Sequence, residues 1–250
     1  MKKLMLLLCC SAFMFEVQAQ VAKKPVPKKV VSKNVVKGKP TMVKNPTSTV
    51  VKMALDKSIR VKITTDSGVI IVKLYDSTPL HRDNFVKLVK QGFYDSLLFH
   101  RIIQGFMVQG GDPQSKNAQP GVMLGAGGGD MTRIPAEFRQ SLIHKKGVLA
   151  AARDGNPEKA SSACQFYIVQ GKILSDQELD MMEQRIGSKY PPEQRNIYKT
   201  IGGTAMLDQN YTVFGEVVSG LEVVDKIASA PKAPGDRPIG DIRMKMEMVK

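Results

Sequence analysis

The sequence predicts a mainly β domain: a closed antiparallel barrel capped by two helices, with a helical insertion at about residues 175–201. Three observations carry this. Short apolar runs with strand-like alternation recur between residues 59 and 248, punctuated by Gly, Pro, Asp and Ser. Outside the insertion, only two segments carry helical spacing. Of the 250 residues 42% are apolar, enough for a core, and no run of 18 apolar residues argues for a membrane-spanning helix.

The elements follow in order. Ile59, Val61 and Ile63 alternate with Arg60, Lys62 and Thr64, the period of a half-buried strand. Asp66, Ser67 and Gly68 supply turn chemistry, and the apolar run 69–75 completes a hairpin. Thr78 and Pro79 open a helix, Thr as the cap and Pro where its missing N–H costs nothing. Phe85, Leu88 and Val89 share one face of it, and Gly92 closes it. Strand-like runs follow at 97–103, 107–110, 148–151, 166–169 and 212–217. Residues 221–228 form the second capping helix, with Val224 and Ile227 inward. Ile242, Met244, Met246 and Met248 alternate with Arg243, Lys245 and Glu247 in a last strand. Within the insertion, Ser175 and Glu178 make a capping box ahead of Leu179, Met182 and Ile186. Gly187 ends that helix, and Pro191 and Pro192 start another through Ile197 and Ile201.

Charge divides the chain differently. There are 37 Lys and Arg against 23 Asp and Glu, a formal net charge of +14. Residues 1–20 contribute +1, residues 21–57 contribute +9 from ten lysines and one acid, and residues 58–250 only +4. Residues 1–19 have the layout of a secretory signal: Lys2 and Lys3, an apolar stretch over 4–15, then Val17, Gln18 and Ala19. Cys9 and Cys10 leave a lipoprotein signal as the alternative, although Leu8 and Cys9 stand where a lipobox wants a small residue. Residues 20–57, rich in Lys, Val, Pro and Thr and without an aromatic residue, read as a disordered basic linker. Weak contact with anionic surfaces is a second role for that segment. The expectation is an exported, monomeric, periplasmic protein (alternatively lipid-anchored in the envelope), with its folded domain at 58–250. Loss of the signal leaves Cys164 alone, so no internal disulfide is expected, and Cys164 reads as a small buried residue.

The residues also narrow the chemistry. His81, His100 and His144 have no His or Cys partner at metal-ligand spacing, and there is no G-x-S-x-G elbow. Neither a metal site nor a Ser-His-Asp triad is therefore expected. Gly125-Ala126-Gly127-Gly128-Gly129 lacks the end of a P-loop and reads as a flexible surface loop. Basic residues of the domain are scattered without aromatic interleaving, which argues against nucleic acid as a partner. The distinctive segment is 99–112, FHRIIQGFMVQGGD. As two strands broken at Gly105, it pairs Arg101 with Ile103 on one face and Met107 with Gln109. Arginine, the aromatic Phe106, a thioether and an amide then make a pocket that is apolar below and hydrogen-bonding above. The alternative is an arginine salt-bridged on the barrel surface.

This segment resembles the signature of the cyclophilin-type peptidyl-prolyl cis-trans isomerases, and further matches follow in the same order. They are GVLAAAR at 147–153, SACQFYI at 162–168, Leu207 with Asp208, and YTVFGEV at 211–217. The resemblance spans about residues 58–249. It implies a closed eight-stranded antiparallel barrel with two capping helices, rotation about X–Pro bonds of unfolded or flexible polypeptides, and no cofactor. It makes Arg101 the catalytic arginine, with Phe106 and Gln109 beside it. Phe106, Met107, Tyr167, Leu207 and Tyr211 would hold the proline ring, and Gln109 would orient the arginine and contact substrate backbone. Ala152, Arg153 and Gln165 would line the groove beside the pocket. With the signal, this points to assisted folding of exported proteins; a non-catalytic peptide-binding chaperone module on the same fold is the alternative. The chain departs from the family pattern in places. It has no Trp, and Met206 stands where well-known members carry one, which implies weak ciclosporin binding. Tyr167 and Tyr211 replace a common Phe and His and are expected to bring hydroxyls toward residues near the proline. Arg153 replaces a common Asn, and Cys164 a usual Ser.

Overall fold

The computed structural model describes residues 58–249; the expected signal at 1–19 and linker at 20–57 lie outside the described residues. The elements in order are β1 (Arg60–Thr65), β2 (Gly68–Leu74), α1 (Pro79–Lys90), β3 (Phe99–Ile103), β4 (Met107–Gly110), β5 (Val148–Ala151), β6 (Phe166–Val169), α2 (Asp176–Ile186), α3 (Pro192–Thr200), β7 (Val213–Ser219), α4 (Leu221–Ala228) and β8 (Met244–Met248). Short 3-10 turns stand at Pro113–Asn117 and Ala205–Leu207.

Every strand pairing is antiparallel, in the order β3-β4-β6-β5-β7-β2-β1-β8. The expected closed barrel is instead an open, curled half-barrel that turns through 242°. Its edge strands β3 and β8 share no ladder. They meet in one bridge, Leu98 with Arg243, where Phe99 N donates to Ile242 O at 2.9 Å and Met244 N to Leu97 O at 2.8 Å. A bulge between Phe99 and Arg101 then turns β3 away. Farther along, the loop after α4 covers the β3 edge, with Ile102 N donating to Asp236 O at 2.8 Å.

Alternation decides what is inside. Val61, Ile63, Ile70, Val72 and Leu74 all point inward and are at most 2% exposed. Phe85, Leu88 and Val89 of α1 and Val224 and Ile227 of α4 pack on them. Phe85 lies at the centre of an aromatic cluster, 5.2 to 5.7 Å from the rings of Tyr94, Phe166 and Phe214. Each such buried ring or aliphatic side chain contributes about 1.5–3 kcal/mol.

The cap of α1 differs from expectation. Thr78 makes no side-chain capping bond, and its buried Oγ1 has no partner. The free N–H groups of Leu80 and His81 donate instead to Glu137 Oε1 and Oε2, at 3.2 and 3.0 Å. The same carboxylate binds His81 Nδ1 at 2.7 Å. A carboxylate at a helix N-terminus satisfies the open amides and the dipole together, which a hydroxyl does less well.

The insertion forms as its sequence predicts. Ser175 and Glu178 make the reciprocal capping box, and Gly187 ends α2 with a left-handed φ of 69°. The α2–α3 pair has its own apolar cluster, built on Leu174, Leu179, Tyr190 and Tyr198 against Ile143 and Ala205.

Candidate active site

The β3–β4 hairpin sets the site. Its register pairs Arg101 with Gln109, Ile102 with Val108 and Ile103 with Met107. Directly opposite residues share a face. Ile102 and Val108 are therefore both inside, at 0% exposure, and Arg101 and Gln109 both face outward. Phe106 is held at the turn: its carbonyl accepts Gln170 N and Gly171 N, each at 3.0 Å.

The outward row continues across the sheet. Gln109 pairs with Tyr167 of β6, and Tyr167 with Ala150 of β5. Arg101, Gln109 and Tyr167 thus stand side by side. Beneath them Met107, Val148, Ala150, Ala152, Tyr167, Val169 and Val213 form a second apolar cluster, on which Phe106, Leu207 and Tyr211 pack.

Above this cluster lies a groove of about 410 Å³ lined by Arg101, Phe106, Met107, Gln109, Ala152, Arg153, Tyr167, Leu207 and Tyr211. A second cavity of about 350 Å³ adjoins it, sharing Gln109, Ala152 and Arg153 and adding Gln165. All ten expected site residues therefore lie along one continuous depression.

Their individual roles are more divided. The Arg101 side chain is 43% exposed, and its Nε stands 3.8 Å from Asp236 Oδ2. Among the described residues it makes no hydrogen bond to Gln109. Gln109 Nε2 donates instead to Gln165 Oε1 at 3.0 Å. Gln165 is buried, and its Nε2 donates to the carbonyls of Gly125 and Gly127, both at 2.9 Å. Its amide group thereby braces the groove wall that it lines. Arg153 lies over Tyr211, its Cζ 4.7 Å from the ring centroid. Its Nε donates to Asn210 O at 2.8 Å.

Tyr167 corrects an expectation. Its ring faces the pocket, edge-on to Tyr211 at 5.9 Å. Its hydroxyl turns away from the groove and bonds His144 Nε2 at 3.0 Å. It adds no polar group beside the proline, because a buried phenol must take a partner where one exists, and that partner lies below the floor.

The glycine run is a second correction. The expected flexible loop is pinned by Asp112, whose Oδ2 accepts Gly125 N at 2.5 Å and Gly127 N at 3.4 Å. A Cβ at Gly127 would run into Asp112 Oδ1, and one at Gly128 into Cys164 Sγ. These glycines allow the loop to lie flat as a wall of both cavities. Composition alone does not distinguish a pinned glycine loop from a free one; the nearby signal is Asp112 at the end of the distinctive segment. Leu124 and Asp236 also border the site without any local sequence signal, and His100 borders it from within the distinctive segment. Cys164 is buried, as expected. Burial pushes its thiol up, with Ser162 opposing, so it is a poor nucleophile.

The comparisons with known proteins agree with this geometry. The family model described as cyclophilin type peptidyl-prolyl cis-trans isomerase matches residues 60–248. A Staphylococcus haemolyticus protein named as a peptidyl-prolyl cis-trans isomerase is 32% identical over 188 residues, covering 75% of this chain and 89% of its own length. A Staphylococcus aureus protein of the same name is 33% identical over 185 residues, covering 74% and 88%. Among solved structures, a Cryptosporidium parvum cyclophilin-type isomerase superposes with a TM-score of 0.58 at 22% identity, over 77% of this chain and 98% of that one. The same protein crystallised in the presence of the dipeptide Ala-Pro gives a TM-score of 0.55 at 21% identity, covering 76% and 99%. At that identity the structural likeness speaks for the fold.

Proposed function

The chain belongs to the cyclophilin-type peptidyl-prolyl cis-trans isomerase family, and from that membership we propose how its own residues perform the isomerisation and where the protein works. The bond to be turned is an X–Pro amide, whose resonance sets a barrier of about 18–20 kcal/mol. No covalent bond breaks and no proton moves. At the twisted transition state conjugation is lost and the prolyl nitrogen regains a lone pair. A fixed donor aimed at that nitrogen stabilises the twisted state and not the planar ones.

Arg101 supplies that donor. It is permanently charged and carries a rigid fork of N–H groups. The pyrrolidine ring rests on Phe106, Met107, Leu207 and the rings of Tyr167 and Tyr211. Gln109 and the edge at Ala152 and Arg153 receive the extended chain on either side of the proline. The observation that carries this reading is the position of Arg101: half-exposed, beside Gln109, above an apolar and aromatic floor. Arg101→Ala is expected to lower isomerase activity by about 10²–10³-fold on a proline peptide in a protease-coupled assay. Unchanged activity in a folded variant overturns the assignment.

The signal layout of residues 1–19 and the basic segment 20–57 support export, with exported polypeptides as clients and the periplasm as the site of action. A monomer, with weak contact to anionic surfaces through residues 21–57, completes the proposal. The intact mass of the mature protein tests it. A chain starting at Gln20 supports a soluble exported form, added lipid mass supports an anchored one, and an uncleaved chain rejects export by this signal.

A further inference from the structure

Two features take no part in the reaction above: the helical pair α2–α3, and the buried carboxylate of Asp208, next in sequence to the pocket residue Leu207. They meet in one hydrogen-bonded chain that ends at the pocket floor.

Asp208 is 1% exposed and its carboxylate takes four donors. Oδ1 receives His144 N and His144 Nδ1, each at 2.8 Å. Oδ2 receives the hydroxyls of Tyr190 and Tyr198, at 2.7 and 2.5 Å. Tyr190 lies on the connection between α2 and α3, and Tyr198 within α3. On its other side, His144 Nε2 holds the hydroxyl of Tyr167 at 3.0 Å, with the two rings stacked 6.1 Å apart at 14°. An ionised carboxylate can only accept, so Nδ1 carries the proton in the neutral imidazole and Nε2 accepts from Tyr167. Burial, first of all, raises the phenols of Tyr167, Tyr190 and Tyr198 above their ordinary range; the nearby Asp208 charge adds to this in all three. All three therefore remain donors. The polarity runs one way from each end toward Asp208, and buried chains of this kind reinforce one another.

Each link needs the next. Without the two insertion hydroxyls, Asp208 Oδ2 would lose both of its side-chain donors. A buried acceptor in that state draws its neighbours into new positions. The first neighbour is His144, and through it the Tyr167 ring under the proline. Small misplacements of a bound group relative to a catalytic one are costly in rate.

We propose that the insertion is a brace for the isomerase site: Tyr190 and Tyr198 are positioning residues that act through Asp208 and His144 to set the Tyr167 ring against Arg101. This rests on Tyr167 lining the proline pocket, as set out above.

The test is the double substitution Tyr190→Phe with Tyr198→Phe, which keeps both rings and removes both donors. It is made in the parent chain and again alongside Tyr167→Phe, where the last link is already gone. In the parent, kcat/KM on a proline peptide is expected to fall about tenfold, measured well below the melting temperature. Alongside Tyr167→Phe the same pair is expected to cost less than about twofold. A purely structural role would lower Tm in both backgrounds and leave kcat/KM alone. That result, or an equal loss of kcat/KM in both backgrounds, overturns the brace. If the double variant fails to fold, Tyr198→Phe alone carries the same comparison. Arg101→Ala is the reference. Parent turnover lost in Arg101→Ala but untouched by the tyrosine changes rejects the brace alone; a parent without turnover rejects the site reading as well.

Discussion

Neighbouring residues of the same strands do opposite work in this protein. Ile102, Val108, Ile168 and Leu149 stand in one register row across β3, β4, β6 and β5, and each is 0% exposed. One residue away in each strand, Arg101, Gln109, Tyr167 and Ala150 form the parallel row on the other face, and the first three line the groove. The inner row is plain aliphatic packing, which fixes where the strands sit. The outer row presents Arg101, Gln109 and Tyr167, the residues proposed for the chemistry, to the groove. Since the strand period is two, a slip of one residue would exchange the rows. The proposed site is therefore held in register by residues that face away from the groove.

The largest effects are expected when two adjacent residues, one from each row, are changed in turn. Arg101→Ala is expected to remove about 10²–10³-fold of activity with the denaturation midpoint unmoved, because a half-exposed side chain stabilises the fold little. Ile102→Ala is expected to cost about 2–5 kcal/mol of stability, read from denaturant unfolding, with the folded fraction still turning over substrate. Ile102→Ala losing activity at undiminished stability would mean the rows are not separable.

His100 probes the division from its boundary. It sits at the β3 bulge, buried at 3% exposure, and burial pushes its imidazole down to about 4 from the ordinary 6.5. Above pH 6.5 the ring is neutral folded or unfolded, and stability does not respond. Between 6.5 and about 4 the unfolded chain binds the proton and the folded chain does not, so stability falls as pH falls. The total is about 3 kcal/mol. Burial lowers His81 too, in the same direction. Urea midpoints taken across that window should flatten in His100→Asn; an unchanged slope would assign the acid sensitivity elsewhere. Met206→Trp has the smallest expected effect. Met206 is 44% exposed beside Leu207, and the added ring is expected to tighten ciclosporin about tenfold by calorimetry. No gain would mean that the family's Trp position does not carry over to this surface.

Local features are legible in the sequence itself. The hairpin of β1 and β2, the Ser175–Glu178 capping box and the Gly187 stop all depend on residues within a few positions of one another. The ten expected site residues are read from ordered motifs through the family resemblance, and the structure places them along adjoining cavities. Where composition misleads, the reason is a distant partner. Thr78 has the composition of a cap, but Glu137, 57 residues from Leu80, does the capping. Gly125 to Gly129 have the composition of a free loop, but Asp112 and Gln165 pin it. The Tyr167 hydroxyl is expected in the groove, yet His144, 23 residues away, turns it beneath the floor.

The alternation of each strand, the helix ends and the chemical character of the site follow from the amino-acid order alone, because they rest on covalent spacing and side-chain type. It takes the folded chain to leave the barrel open between β3 and β8, to bring Arg101, Gln109 and Tyr167 into one row, and to connect the insertion with the pocket through Asp208. Those outcomes turn on register and on hydrogen bonds between residues far apart in the chain, whose partners are chosen by packing and by the need to satisfy every buried polar group.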